Sequence, residues 1–532
     1  MSEMVRPHRN AASRREEGGA LLLVLLYFLL FVSVGLVLLA AVGQAGVLGA
    51  KSEEFSRAES AAEDGLTWFD RRLHEELSGL GDVYPHTAES RIREALERIP
   101  PPPEMHVRYE TDLRTAQGGA SYLLTVTSTG SFRGSEVALT RTYLLTTVAE
   151  QFLYALVTDG DLTLNGAPYI KGDILVGGKL TTSPHARYIW GVSREKHTGY
   201  GAVRGYLSTP RTDFDLIDEH RHRTTLPLTS DNLARGFVQP PTLAPSRAKA
   251  VPIDVQGEVD RVRANVPSTA DMKVLSCPWW STTCRLSGNA TYDENGLWVK
   301  GNLHVRGDGT KVVVSGNLLV DGSLTVDPGA TLEVRGNVAY VKGSAYVQGK
   351  VELSPGGEAY IGGSLRGTNA HLQGTFYVER DVYLTKHLHG RSTIYTKDTG
   401  EVTEFEDMQK ESFLVLLAER SVKLYNNNIF QDTPLVMRAY LYSNDDITIY
   451  GVGSHVELHG GITGKNVTLN VTKGWTREEF WGPSFEEPQT EIPPERSRLK
   501  IFYDESMILN PPEGIERPGP IRTKVLSTRY GR

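Results

Sequence analysis

The chain opens with a charged tail that is followed by a long apolar run. No charged residue occurs between Gly18 and Ala50. A bilayer core about 30 Å thick is crossed by a helix of roughly 20 apolar residues, so residues 18–50 are predicted to form a transmembrane helix. The positive-inside rule assigns the arginine-rich flank, residues 1–17, to the cytoplasm. The sequence therefore predicts a single-pass protein of the cell membrane, with its N-terminus cytoplasmic and the bulk of the chain extracytoplasmic.

A cleaved signal peptide is the alternative interpretation of the same run. Signal peptides have a shorter apolar core and end in small residues at the cleavage site. The small residues from Gly43 to Gly49 fit such an exit, whereas the apolar core is longer than a signal peptide needs. The length of the core favours a retained anchor, with the lipid bilayer as a partner.

Helical periodicity continues beyond the apolar run. Apolar residues recur every three or four positions as far as Leu80, with charged residues on the opposite face. A second helix is predicted from Thr87 to Ile99. Three alternating, strand-like segments follow and are separated by glycine-rich turns. A long helix that leads into a small antiparallel sheet is typical of a pilin, and we assign this arrangement to residues 51–150.

A short alanine-rich motif follows the apolar half of the helix. It reads Ala58-Glu-Ser-Ala-Ala-Glu-Asp-Gly-Leu66. With the arginine-rich start and the glycine pair before the apolar run, residues 14–150 resemble the PilX-type minor pilins of type IV pilus systems. The resemblance implies a pilin-like base and partners among pilus-assembly or other pilin-like proteins. The motif positions are Gly18, Gly19, Ala58, Glu59, Ala61, Ala62, Glu63, Gly65 and Leu66.

The resemblance does not extend to the prepilin processing site. Type IV prepilins are cut after a glycine and carry glutamate at the fifth mature position. Cleavage after Gly18 or Gly19 would place Leu23 or Val24 at that position. The motif therefore does not imply processing or entry into a filament.

Glycine-centred corners recur through the second half of the chain. Val320-Asp-Gly-Ser-Leu324, Val341-Lys-Gly-Ser-Ala345 and Ile361-Gly-Gly-Ser-Leu365 are spaced 21 and 20 residues apart. Each unit sets short strands on either side of a tight turn, where glycine supplies the positive φ that the turn requires. A period of about 20 residues is typical of a β-solenoid, in which each coil stacks its aliphatic residues on the next.

Together these patterns predict a mainly β fold. It comprises an N-terminal transmembrane, pilin-like helix with a small sheet, then a single-stranded β-solenoid (β-helix) with a long insertion. The first solenoid coils are predicted at 151–182 and the main run at 297–475. Residues 183–296 are poor in aliphatic residues, which predicts an irregular insertion. Residues 476–532 are rich in proline and charge and are predicted to form a C-terminal cap or tail.

The net charge limits the classes of partner, and the cysteine content bears on the cellular compartment. A net charge of −7 does not favour a nucleic-acid partner. Cys277 and Cys284 are predicted to form a disulfide outside the cytoplasm, with two free thiols as the alternative. No cofactor is predicted.

One alternating segment carries residues that bind metal ions in other proteins. His455, Glu457 and His459 alternate with apolar residues, so a strand would direct all three side chains to one face. Two imidazoles and a carboxylate can bind zinc, which makes these residues a weak candidate metal site. A solvated outer face explains the same pattern and is favoured. No catalytic residue is predicted.

These observations favour a membrane-anchored extracytoplasmic structural or adhesive protein that is associated with a type IV pilus-like system, with surface polysaccharide as a further partner class. A carbohydrate-active lyase or hydrolase on a β-helix is the alternative, and it needs paired carboxylates about 5–9 Å apart. Asp321 and Asp327 are six residues apart and are predicted to lie on successive faces. A bactofilin-like polymer is the third interpretation, which the N-terminal block and the proline-rich tail disfavour.

Overall fold

A computed structural model defines the architecture of most of the chain. Within the described residues the chain is mainly β, with a long N-terminal helix, a small antiparallel sheet and a β-solenoid of about 14 turns, which confirms the predicted fold class. The predicted tail at 1–17 lies outside these residues except for its last two positions. The described residues are 16–83, 85–100, 107–115, 121–147, 150–187, 195–244, 252–406, 408–425, 427–428, 430–452, 454–479, 482–485, 492–504 and 519–530.

A long helix and a small sheet form the N-terminal unit. The helix is long and apolar enough to cross a membrane by length and composition, a test that a signal sequence also passes. Its large apolar side chains that are described between Leu22 and Leu48 are exposed. The elements are α1 (Glu16–Ser78), β1 (Asp82–Val83), α2 (Pro85–Glu97), β2 (Val107–Thr115), β3 (Ser121–Phe132) and β4 (Ser135–Thr146).

The second half of α1 packs on the sheet through its predicted apolar stripe. Leu66, Phe69, Leu73 and Leu77 each expose 2% or less of their surface. They share one hydrophobic cluster with inward-facing residues of β3 and β4. Helical spacing of 3.6 residues puts these four side chains on one face, so the stripe is buried while the charged face stays in solvent.

The solenoid is inserted into this unit between β4 and the C-terminal strand. Its strands up to the chain crossover are β5 (Leu156–Thr158), β6 (Leu162–Gly166), β7 (Tyr169–Lys171), β8 (Ile174–Val176), β9 (Leu180–Ser183), β10 (His185–Arg187), β11 (Glu195–His197), β12 (Ala202–Arg204), β13 (Tyr206–Ser208), β14 (Asp213–Ile217), β15 (Arg223–Pro227) and β16 (Thr242–Ala244). The two helices of this region are α3 (Ser230–Gly236) and α4 (Val255–Ala264). Short 3-10 helices lie at Glu150–Leu153 and Pro494–Arg496.

The second series of strands builds the longer part of the solenoid. These strands are β17 (Lys273–Ser276), β18 (Thr283–Ser287), β19 (Ala290–Tyr292), β20 (Leu297–Lys300), β21 (Asn302–Arg306), β22 (Lys311–Val314), β23 (Leu318–Val320), β24 (Leu324–Val326), β25 (Thr331–Val334), β26 (Val338–Val341), β27 (Ala345–Val347), β28 (Lys350–Leu353), β29 (Glu358–Ile361), β30 (Leu365–Val378), β31 (Val382–His389), β32 (Arg391–Thr396), β33 (Thr399–Phe405), β34 (Phe413–Ala418), β35 (Ser421–Tyr425), β36 (Leu435–Gly451) and β37 (Val456–Val471). After them come β38 (Thr476–Glu479), β39 (Gly482–Phe485), β40 (Leu499–Tyr503), β41 (Gly519–Pro520) and β42 (Arg522–Tyr530).

The C-terminal strand completes the N-terminal sheet. β42 pairs antiparallel with β4, from Leu139↔Tyr530 to Thr146↔Arg522, which gives the strand order β2–β3–β4–β42. β40 joins the solenoid by pairing with β37 and β7. The predicted cap or tail at 476–532 is therefore corrected. The prediction was wrong because β42 is a half-exposed edge strand with weak alternation, and its partner strand lies far away in the sequence.

The coils do not stack in the order of the sequence. From β17 to β37, strands pair in parallel with the equivalent strands of the next coil. β37 then pairs on its other side with β5 and β6, the first strands of the solenoid. β8 and β9, and then β13 and β14, continue the stack beyond them. The chain thus enters the solenoid in its middle, builds one end, crosses to the other end and builds back.

The described part of the crossover, residues 252–272, covers an aromatic stripe on the outside of the solenoid. Val255, Val259 and Val262 of α4 are fully buried there. The register aligns the stripe from coil to coil, and α4 packs on it in one hydrophobic cluster. The stripe consists of Leu319, Tyr340, Tyr360, Tyr377, Tyr395, Leu417 and Tyr442. The crossover thus shields the apolar stripe on the outside of the solenoid from water. This burial explains why the crossover follows that face.

Residues 183–296 are not the irregular insertion that their composition predicted. They hold the coil β12–β14 at one end of the stack and the coil β17–β19 at the other. The prediction was wrong because the strands of an end coil, although no shorter than those in the middle, have a neighbouring coil on one side only, so they bury less surface and carry fewer aliphatic residues.

Placing a charge under the crossover is expected to detach it. Val259→Asp would bury an unpaired carboxylate against the aromatic stripe, at an expected loss of roughly 3–5 kcal/mol in the free energy of unfolding. Limited proteolysis should then cleave within 245–272, and the thermal midpoint should fall. Gln256→Asp places the same charge on the exposed side of α4 and is the control. Equal protease resistance in the two variants would contradict the crossover packing.

Candidate functional site

The two ends of the solenoid are built differently. The coil β12–β14 is covered by α3, whose Leu233 is buried in the core together with Phe237. At the opposite end, within the described part of the chain, β17, β18 and β19 pair on one side only. Leu275 and Leu286 of that coil point inward yet are only half-buried. This second end is therefore open.

A lysine protects the open edge against strand addition. Lys273 aligns with the fully buried Leu297 of the next coil, so its side chain starts on the inward side. Its ammonium group lies 5.3 Å from the centre of the Tyr292 ring. An inward-pointing charge on an edge strand opposes pairing with a further strand. The open end is thus exposed but is not shaped for strand pairing.

A disulfide-closed loop projects from the open end. Cys277 and Cys284 are bonded to each other and close the turn between β17 and β18. Trp279 exposes 93% of its surface and Trp280 exposes 72%, more than any other large apolar residue described outside α1. The two indole rings are 5.6 Å apart and nearly perpendicular. We call residues 277–284 the tryptophan loop.

A glycine of the next coil seats the tryptophan loop. Gly301 has a φ of +138°, and a Cβ at this position would lie 2.8 Å from Cys277 Sγ and 2.5 Å from the carbonyl oxygen of Thr282. Any other residue would push the disulfide away from the coil and strain the backbone. The loop is therefore held close to a rigid support.

Sequence reasoning identified the two cysteines of this loop but missed the tryptophans. Adjacent tryptophans between paired cysteines, with no other apolar residue in the loop apart from Pro278, were the available signal. Such a short ring has no interior in which to bury two indoles, so both must face the solvent.

The three residues of the candidate metal site, His455, Glu457 and His459, do not point to a common centre. His455 precedes β37 and is almost buried, and its Nδ1 donates a hydrogen bond to the Gln431 carbonyl at 2.9 Å. Glu457 and His459 lie on the outward side of β37, where Lys500 Nζ is 2.8 Å and His459 Nε2 is 3.8 Å from the Glu457 carboxylate. The neighbouring imidazole and the ammonium group lower the pKa of Glu457 to about 2. In the part of the chain that the structure describes, no group of three or more His, Cys, Asp or Glu is arranged to hold a metal ion.

His455 is expected to make the fold sensitive to acid. Burial lowers the pKa of His455 to about 4, whereas histidine in an unfolded chain titrates near 6.5. Between these values the unfolded chain takes up a proton that the folded chain does not, so stability falls as the pH falls from 6.5 to 4, by up to roughly 3 kcal/mol. Urea unfolding at pH 7 and 4.5 should show a smaller loss for His455→Asn. The exposed His222→Asn should behave as wild type, and identical losses in all three proteins would contradict the assignment.

The aspartates that sequence reasoning considered for carbohydrate chemistry hold neighbouring coils together. Asp321 accepts a hydrogen bond from Trp298 Nε1 at 2.8 Å and pairs with Lys342 Nζ at 2.6 Å. Asp327 lies 2.8 Å from His304 Nε2. Each carboxylate thus bridges strands of adjacent coils.

The pilin-like motif forms the contact between α1 and the sheet. Ala58, Ala62 and Leu66 are fully buried. A Cβ at Gly130 of β3 would lie 2.2 Å from the Ala58 carbonyl oxygen and 2.5 Å from the Ala62 nitrogen, and Gly65 faces Ser128 equally closely. Small residues on both sides let the helix and sheet backbones touch, so the physical role of the motif is close packing.

The remaining motif residues lie elsewhere on α1. Glu59 accepts a hydrogen bond from the Tyr530 hydroxyl at 2.6 Å, which ties the C-terminal strand to the helix. Ala61 is half-buried and Glu63 is exposed. Gly18 and Gly19 lie in the first turn of the helix.

A half-buried polar network also fixes α1 to the sheet. Asp70 accepts hydrogen bonds from the Arg141 guanidinium and the Tyr143 hydroxyl. Burial and the Asp70 carboxylate raise the pKa of Tyr143. The network holds the helix at one register on the sheet.

Polar and apolar contacts join the N-terminal unit to the solenoid. Lys524 of β42 donates a hydrogen bond to the Leu153 carbonyl at 2.8 Å, and its ammonium lies 3.8 Å from the centre of the Tyr503 ring. Leu144 and Leu153 are buried beside them with Leu526 packed against both. The strand that completes the sheet thus also contacts the solenoid.

Comparison with known proteins gives little family information. No family model and no curated protein matches the chain. Among solved structures, the crystal structure of the competence-associated pilin ComZ from Thermus thermophilus is similar at 12% identity, with a TM-score of 0.24, over 90% of this chain and 97% of that chain. The residues and geometry described above therefore carry the interpretation of this protein.

Proposed function

We propose that this protein is a membrane-anchored structural or adhesive protein of the extracytoplasmic space. A pilin-like base, formed by α1 and the four-stranded sheet, holds a rigid β-solenoid outside the membrane. The observation that carries the proposal is the division of α1 into an exposed apolar half and a half that is docked on the sheet.

The exposed half of α1 needs an apolar environment. The large apolar side chains that are described from Leu22 to Leu48 face outward on all sides of the helix. Exposed apolar surface is unfavourable by about 25 cal/mol per Å², so a helix that is apolar all round is stable only where this surface is covered. A lipid bilayer covers it completely, and the charge asymmetry of the flanks orients the solenoid outward.

Two features support an extracytoplasmic solenoid with a structural role. The Cys277–Cys284 disulfide suits an oxidising compartment. The cap that α3 forms with Leu233 and Phe237 closes one end of the stack, which favours a discrete rod over a polymer that grows from both ends.

Association with a type IV pilus-like system is the finer part of the proposal. It is supported by the close packing of Ala58, Ala62 and Gly65 on the sheet, which gives the pilin-like motif a structural role. Leu23 and Val24, where prepilins carry glutamate, favour a role beside the filament over one within it.

Fractionation of a bacterial host tests the anchor. The full chain should sediment with membranes and resist alkaline carbonate, whereas a variant lacking residues 20–42 should be soluble. A variant lacking residues 2–12 retains the apolar run and is the matched control. Mass spectrometry should find an intact N-terminus in the membrane fraction. Recovery of the wild-type protein in the soluble fraction, with its N-terminus cut near Gly49, would overturn the anchor.

A further inference from the structure

We propose that the tryptophan loop is a membrane-binding element that inserts Trp279 and Trp280 into the interface of a second lipid bilayer, which faces the open end of the solenoid. The inference deepens the proposed function and rests on it, because α1 must occupy the first bilayer. The chemistry that recognises the loop is the boundary between headgroups and acyl chains.

The exposure of the two indoles indicates insertion into a surrounding medium. A platform for a flat ligand keeps one face of each ring packed on the protein, whereas Trp279 is 93% exposed, so hardly any of its ring is packed on the solenoid. Trp280 stands nearly perpendicular to it, so the two rings do not form one flat surface. Tryptophan is enriched at membrane–water interfaces, where its apolar ring is buried and its N–H group stays hydrated.

The composition of the loop suits entry into a bilayer interface. Between Cys277 and Cys284 the chain has only Pro, Trp, Ser and Thr, so no charge has to leave water. The exposed cations Arg285 and Lys300 flank the loop on β18 and β20, while Asp293 and Glu294 lie at a different corner of the coil. Binding is therefore expected to depend strongly on the tryptophans and only weakly on anionic lipid.

The loop is preorganised for binding. The disulfide and the seat at Gly301 fix the backbone before contact. A rigid loop loses less conformational entropy on binding. A larger part of the favourable free energy of burying the indoles therefore appears as binding affinity. Reduction of the disulfide should accordingly weaken binding.

The position of the loop suits contact with a membrane other than the one that holds α1. Nine successive strand pairings separate β17 from β37, the strand beside the junction with the N-terminal unit. At about 4.8 Å per pairing, the loop lies about 43 Å along the solenoid from that junction. The opposite end of the stack is covered by α3, so the end that bears the loop is the uncovered one.

Vesicle binding by the anchored protein tests the proposal. The full chain would be reconstituted in phosphatidylcholine nanodiscs and mixed with separate vesicles of 4:1 phosphatidylcholine and phosphatidylglycerol that carry brominated acyl chains. We expect co-flotation with the vesicles and quenching of tryptophan fluorescence. Trp279→Ser/Trp280→Ser should reduce co-flotation at least tenfold and abolish the quenching, and pure phosphatidylcholine vesicles should lower wild-type binding less than threefold.

Controls separate the loop from the anchor. Tyr346→Ser removes an exposed aromatic residue from the side of the solenoid and should bind vesicles as wild type does. Equal binding by the double tryptophan variant, or binding of the wild type to a polysaccharide array but not to vesicles, would overturn the proposal. Failure of the full chain to stay in nanodiscs would instead overturn the anchor, and the second-membrane role with it.

Discussion

Gly130→Leu is expected to release the docked half of α1 from the sheet. The Cβ would meet the backbone of Ala58 and Ala62 at 2.2 and 2.5 Å. Backbone atoms in a helix cannot rotate away as a side chain can, so the helix must lift off and expose Leu66 and Phe69. Overpacking typically costs 1–3 kcal/mol, and with this burial lost we expect at least about 4 kcal/mol from the free energy of unfolding of the N-terminal unit.

Differential scanning calorimetry in detergent would measure this effect. The N-terminal unit should lose its transition while the solenoid keeps its own. Thr129→Val changes the neighbouring position, which faces away from the helix contact, and should stay within about 1 kcal/mol of wild type. A Gly130→Leu protein that melts like the Thr129→Val protein would show that helix and sheet do not approach so closely.

Removal of residues 519–532 is expected to have the second large effect. It deletes β42, leaves β4 as an unpaired edge and removes Ile521, which is buried in the N-terminal cluster. The contacts of Lys524 with Leu153 and Tyr503 are lost at the same time. Loss of one buried isoleucine and a row of strand hydrogen bonds amounts to at least about 3 kcal/mol.

Protease sensitivity and orientation would report the loss of β42. Residues 107–146 should become cleavable in the truncated protein, and the N-terminal unit should move independently of the solenoid in electron micrographs. Val525→Thr alters an exposed residue of the same strand and serves as the control. A truncated protein that resists protease as wild type does would contradict the four-stranded sheet.

Local patterns in the sequence predicted the parts of the fold that depend on local spacing. The stripe from Leu66 to Leu77 has helical periodicity and is buried on one face. The Gly-Ser corners near Gly322 and Gly343 form the turns between short strands, and aliphatic residues on both sides point into the core. The predicted positive φ was wrong for these two glycines: both are instead required because a Cβ would lie within 3 Å of the backbone of the preceding coil. Periods of 3.6 and 2 residues follow from backbone geometry alone. They can therefore be recognised in the sequence without knowing which segments pack against each other.

The order of the coils was not predictable from those patterns. Every coil offers similar strand edges, so nothing in residues 156–166 indicates that they stack on β37 and not on the next segment of the chain. The choice depends on the whole stack, in which Asn165 and Asn470 also align and share a hydrogen bond at 3.0 Å. The crossover follows from the same choice, because the chain must return along the outside to start the other end.

The candidate site was only partly predictable for a related reason. Alternation put Glu457 and His459 on the outward side of β37, but His455 turns to a backbone carbonyl before the strand begins. Exposure of Trp279 and Trp280 depends on their loop lying at an open end, which is a property of the stack and not of the loop sequence.

The central claim is that a pilin-like base anchors the chain in a membrane and holds the solenoid outside. Labelling of single cysteines with a membrane-impermeant maleimide tests this claim most directly. The native cysteines are first removed by Cys277→Ser/Cys284→Ser, and one cysteine is then introduced by either Ser2→Cys or Thr448→Cys. Thr448 lies on the outer face of the solenoid. We predict that Thr448→Cys is labelled in intact spheroplasts and that Ser2→Cys is labelled only after lysis. Labelling of Ser2→Cys in intact spheroplasts, with Thr448→Cys protected until lysis, would contradict the account.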